Sequence, residues 1–117
     1  KLELTEEQFN CIARGMEYYH RMMCGQVDVV DDVCEERIDL WLKDQLKEQM
    51  FPKLTYGESY GWNGTDKSSY GKEMARSYQI YREMIHKRTV RDGDDNVYSS
   101  ETLKSGIADK LIVEQIK

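Results

Sequence analysis

Residues 56–91 run YGESYGWNGTDKSSYGKEMARSYQIYREMIHKRTVR, a glycine and aromatic loop that feeds a long basic helix. Ser68 or Ser69 supplies the side-chain oxygen that a helix N-terminus requires. Met74, Tyr78, Tyr81 and Ile85 then recur at spacings of four, three and four, with Ala75, Ile80 and Met84 widening the stripe. Such a helix cannot bury its apolar face alone. It demands helical partners, and the rest of the chain supplies them.

Upstream, residues 53–67 form the loop, in which Gly57, Gly61 and Gly64 alternate with Tyr56, Tyr60 and Trp62. Phe51-Pro52 ends the preceding element, because a residue before proline avoids the helical region. That element reads CEERIDLWLKDQLKEQM, with Cys34, Ile38, Trp41, Leu42, Leu46 and Met50 as its expected buried stripe and Asp32 as a cap. Further upstream, Thr5-Glu6-Glu7-Gln8 is a capping box, with Leu4 placed to staple onto Phe9. Phe9, Ile12, Met16, Tyr19 and Met23 predict the buried face of this first helix, and Asn10, Arg14, Glu17 and Arg21 the wet one. Gly15 would admit a close backbone, and Gly25 would stop or bend the helix. Downstream, the helix should end near Arg91, before the turn-forming Asp92-Gly93-Asp94-Asp95-Asn96.

The expected fold is mainly α, a three-helix bundle in a single domain over residues 1–117. A minor β element comes from the termini: residues 1–4 alternate, and 97–102 and 110–116 read as short strands or a hairpin, with IADKLIVEQI as a terminal helix the alternative.

The chain has 117 residues, 39% hydrophobic and 33% charged, enough for one thin-cored domain whose core partner subunits could complete. A net charge of -5 disfavours general nucleic-acid binding, which needs Lys and Arg in excess at the contact. The charge is uneven, however. Residues 72–91 carry Lys72, Arg76, Arg82, Lys87, Arg88 and Arg91 against Glu73 and Glu83, so this segment is +4 on a body of -9. The three cysteines, Cys11, Cys24 and Cys34, lack a disulfide-framework spacing and read as reduced thiols of a cytoplasmic protein. No apolar run approaches the roughly 20 residues of a membrane span.

Aromatic rings that stack on planar groups, beside cations and helix N-terminal amides, make Tyr56, Tyr60, Trp62, Lys72, Arg76 and Arg82 the candidate ligand-binding set, for an anionic small molecule. The plain alternative is that the rings cap the core while the charges are solvated. Arg82 lies near the apolar stripe, where its stem can pack while its head stays wet. His20 and Cys24, four apart on a helix, could hold two corners of a metal site; lacking further ligands they read as a surface histidine and an inert thiol, with no metal or cofactor. An EF-hand is excluded, because Val97 and Leu103 stand where its loop needs Gly and Glu. No catalytic set is visible either, for want of a nucleophile with its base and oxyanion donors.

Two stretches, LTEEQ continuing through EYYHRMMCGQ and LTYGESYGW followed by ARSYQIYREMIHKRTV, resemble a family of small uncharacterised proteins of tailed phages and prophages. The resemblance spans about half the chain. It implies a phage origin and a role in the host cytoplasm, and no activity. From the residues the expected function is non-enzymatic binding of an anionic, nucleotide-like ligand or a host protein, by analogy with small phage proteins that sequester nucleotide signals; the other reading is a self-associating assembly protein. A homo-oligomer fits either, since the tyrosine and methionine stripes exceed what one small core consumes.

Overall fold

The computed structural model describes residues 2–55, 57–61 and 68–93. Within them the chain forms α1 (Glu6–Met23), a 3-10 turn (Val27–Val29), α2 (Val30–Val33), α3 (Leu40–Met50) and α4 (Ser69–Asp92). The fold is mainly helical. The described residues contain no strand, and residues 2–4 have no regular structure. The strands expected at 97–102 and 110–116 lie outside the described residues.

The capping box forms as the sequence requires: Thr5 Oγ1 accepts the Gln8 amide at 3.1 Å, and Gln8 Oε1 accepts the Thr5 amide at 2.9 Å. From there α1 runs antiparallel to α4 along its whole length. Arg91 meets Glu6 at 3.0 Å and Arg88 donates to Asn10 at 2.9 Å at one end. Ala13 packs with Met84 and Ile85 in the middle, flanked by Phe9, Ile80 and Tyr81. Met23 and Cys24 pack with Met74 at the other end, where Tyr70 also donates to the Met23 carbonyl. This hairpin holds the largest fully buried side chains, Met74, Cys24 and Ser77.

The buried face of α1 is turned from the one expected. Ala13 and His20 are buried, while Ile12 and Tyr19 are 39% and 46% exposed. His20 can take the central place because its polar atoms are satisfied inside. Its Nδ1 lies 3.1 Å from the Met74 carbonyl, which can only accept, so Nδ1 carries the proton; Nε2 is then an acceptor 3.4 Å from Cys24 Sγ. The expectation that His20 is a surface residue is therefore corrected. Gly15, expected to admit a neighbouring backbone, faces open space instead. Replacing it with alanine should raise stability by about 0.5–1 kcal/mol through helix propensity alone, read as a higher urea midpoint with an unchanged slope.

At the C-terminus of α1 the Gln26 amide reaches back to the Arg21 carbonyl at 2.9 Å and the Gly25 amide to Met22 at 3.0 Å, with Gly25 at φ 87°. This is the Schellman arrangement, and it ends the helix outright.

α3 departs furthest from expectation. It begins at Leu40, where Asp39 Oδ1 accepts the Trp41 amide at 2.8 Å, and not near Cys34. The preceding residues are held out of helix because Asp31 Oδ1 takes the Ile38 amide at 3.0 Å. The expected stripe is also reversed. Lys43 and Lys47 are buried, at 6% and 5% exposure, whereas Trp41 is 64% and Leu42 50% exposed.

Candidate functional site

The reversal of α3 has a local electrostatic cause. Asp28 and Asp31, on the 3-10 turn and α2, receive Lys43 Nζ at 3.2 and 2.7 Å. The Lys43 bond holds the Asp31 carboxyl below its usual range, helped by the Ile38 amide, while the same bond pushes the Lys43 ammonium above its own. One turn on, Lys47 Nζ donates to the Glu58 carbonyl and ties α3 to the loop. Two cations are thus consumed in attaching α3. Because a helix whose lysines point inward must turn its other face out, Trp41 and Leu42 lie on the side away from the lysines, 64% and 50% exposed, whereas Met50, also exposed, ends the helix about 180° around it from Trp41. Trp41 and Leu42 leave apolar side chain in water on this side of the helix.

Exposed acids are frequent in this stretch. Asp28, Asp32, Glu35, Glu36, Asp39 and Glu48 are exposed, and among residues 28–50 the only exposed cation is Arg37. Asp28 and Asp32 face a cleft beside Lys47, and Glu48 lies two turns beyond Trp41 on nearly the same line of α3, so the exposed surface of this stretch is strongly negative.

Between the end of α1, the 3-10 turn, Lys47 and loop residues 57–59 lies a cleft of about 360 Å³. Arg21 faces it but is already bonded to Glu17 at 3.0 Å and Gln26 at 3.2 Å. Asp28, Asp32 and Glu58 line the same space. Such a wall offers no excess of positive potential to an anion.

The four described candidate ligand residues do not line the cleft. Tyr60 packs against Met23, Cys24 and Met74, and its amide donates to the Cys24 carbonyl at 2.8 Å, so its ring covers the core. Lys72 is exposed on α4, and Arg76, also exposed, pairs with Glu73 at 3.2 Å. Arg82 donates to Tyr78 Oη at 2.8 Å and lies over that ring, 5.5 Å from its centroid, about 15 Å along the helix axis from Lys72. Tyr56 and Trp62 lie outside the described residues. What the sequence reasoning missed is the α3 surface; the only trace of it in the sequence is the density of acids before Lys43 and Lys47.

His20 and Cys24 form the other chemically distinctive pair. Burial lowers the His20 pKa, against the opposing hydrogen bond to Met74, and burial pushes the Cys24 thiol up to about 11. A thiol that stays protonated and is fully buried has neither the charge nor the access of a nucleophile. The pair is structural, and it carries a pH signature. With the folded pKa below that of the unfolded chain, the unfolded state takes up the proton first, so stability is full above about pH 6.5 and falls as pH drops through that value towards the folded pKa. Urea unfolding at successive pH values should show this loss, and His20→Gln, which keeps a donor for the Met74 carbonyl, should remove that part of it.

Among the described residues no three His, Cys, Asp or Glu side chains are grouped so as to hold a metal ion, and no helix is long and apolar enough to cross a membrane. Comparison of the chain with protein-family models, with curated proteins and with solved structures finds no match.

Proposed function

We propose that this chain is a non-enzymatic binding protein that takes a partner protein on the outer face of α3. The observation that carries the reading is the inversion of that helix: Lys43 and Lys47 face in while Trp41 and Leu42 face out. Trp is prominent among the residues that dominate interface energetics, and the half-exposed Leu42 lies beside it. A second copy is a poor occupant, since two such negative surfaces would bring like charges together. Taken with the resemblance to phage proteins, the partner is a host protein in the cytoplasm of the infected cell. An anionic small molecule is the weaker reading, because Tyr60, Lys72, Arg76 and Arg82 are spread along the molecule and the cations at the cleft are engaged.

The test is selection of a random peptide library on the folded chain, with Trp41→Asp as the counter-selection target. Peptides that bind the native chain, fail on the variant and protect residues 40–50 from hydrogen exchange are the expected result. Enrichment only of peptides that bind both proteins equally would sink the reading, as would a native chain whose α3 face is already covered in a dimer.

A further inference from the structure

The surface of residues 28–50 has a chemistry more specific than an apolar patch. This segment contains eight acids, Asp28, Asp31, Asp32, Glu35, Glu36, Asp39, Asp44 and Glu48, and three bases, Arg37, Lys43 and Lys47. Folding sorts them. Both lysines are buried and Asp31 is drawn in with Lys43, whereas six of the acids remain exposed. The exposed charge of this segment is left with one cation, Arg37, at 87% exposure. Two of the acids sit where a partner laid on α3 would meet them. Asp39 caps its first turn, and Glu48 lies two turns beyond Trp41 on nearly the same line of the helix.

From this arrangement we infer that the occupant of the α3 face is a cationic amphipathic helix of the partner protein. This rests on the reading of the face as a protein-docking surface and adds the partner's chemistry. An apolar row on that helix packs on Trp41 and Leu42, while Lys or Arg residues at its edges reach Glu35, Glu36, Asp39 and Glu48. α3 spans 11 residues, about 16 Å, so three to four turns of partner helix, or about 11–15 residues, match its length. The acids at the edge give selectivity and speed of encounter more than affinity, and the Trp41 centre gives the affinity. The same acids exclude anionic partners and nucleic acid from the face.

The probe is a dye-labelled peptide of about 15 residues built from Leu and Lys with one apolar helical face, titrated into the full chain by fluorescence anisotropy. Two companions complete the set: the same peptide with every Lys changed to Glu, and a scrambled Leu/Lys peptide of identical composition without an apolar face. Saturable binding of the first peptide alone is expected, weakening by at least about tenfold between about 50 mM and about 500 mM salt as the edge charges are screened. Trp41→Asp should abolish it. The combined Glu35→Lys, Glu36→Lys and Glu48→Lys variant, in which only exposed side chains change, should lose the cationic peptide and gain its Glu counterpart. Equal binding of the scrambled peptide would reduce the effect to bulk charge and overturn the inference, as would insensitivity to the charge reversal. If library selection returns α3-directed peptides that are neutral or acidic, the inference fails while the docking surface stands; if no peptide reaches α3 at all, the docking surface itself fails.

Discussion

Gly25→Ala should destabilise the chain by about 2–3 kcal/mol, a large share of the 5–15 kcal/mol typical of a domain. Two effects add at this position. Gly25 holds φ 87°, where an alanine Cβ strains against the backbone for roughly 1–2 kcal/mol. A Cβ there would also sit 2.6 Å from Leu54 Cδ1, so that side chain must move to admit it, for about 1 kcal/mol, while the Phe51 ring at 3.6 Å is in ordinary contact. Gly93 is the control. It ends α4 with φ 71° but would place its Cβ in open space, so Gly93→Ala carries the backbone strain alone. Denaturant unfolding of the two variants should show Gly25→Ala as the more damaging by about 1 kcal/mol; equal losses would mean that Leu54 moves aside freely.

The elements that sequence reading located best are those set by local chemistry. The Thr5 to Gln8 box, the Ser68 cap and the stop after Met50 depend on atoms within a few residues of each other, so they are legible without tertiary knowledge. The faces of the helices were less legible. Hydrophobic spacing put Tyr19 inside α1, yet His20 is inside because the Met74 carbonyl and Cys24 satisfy it, and those partners belong in part to a helix 54 residues away. On α3 the spacing rule failed altogether. It assumes that the apolar stripe faces the core, and Lys43 and Lys47 override it through Asp28, Asp31 and the Glu58 carbonyl. Clustered carboxylates upstream of two lysines at i and i+4 do not announce their pairing, because the connection between them decides it. Of the loop and helix candidates, Lys72 and Arg76 are one turn apart on α4 and Arg82 lies further along on another side, a placement that the adjacency of aromatic and basic residues in the sequence does not give.

Trp41→Ala should weaken the peptides selected on the α3 face by at least about 30-fold, the loss of about 2 kcal/mol that defines a hot-spot residue, while changing folding stability by no more than about 0.5 kcal/mol. The pairing of a large effect on binding with a negligible effect on stability is what separates a docking surface from a misplaced core. At 64% exposure Trp41 has little to lose in the isolated chain, and alanine is the better helix former. Lys43→Leu is the opposite case. By hydropathy it improves a buried position, yet it removes the cation that Asp31 and Asp28 share and the tie that orients α3. The expected result is a lower melting temperature than that of Trp41→Ala, together with weaker peptide binding, because the outer face is presented correctly only while the lysines hold the inner one. If Lys43→Leu instead stabilised the chain and Trp41→Ala destabilised it, α3 would have its apolar stripe turned to the core after all, and Trp41 would be a packing residue rather than a contact for another protein.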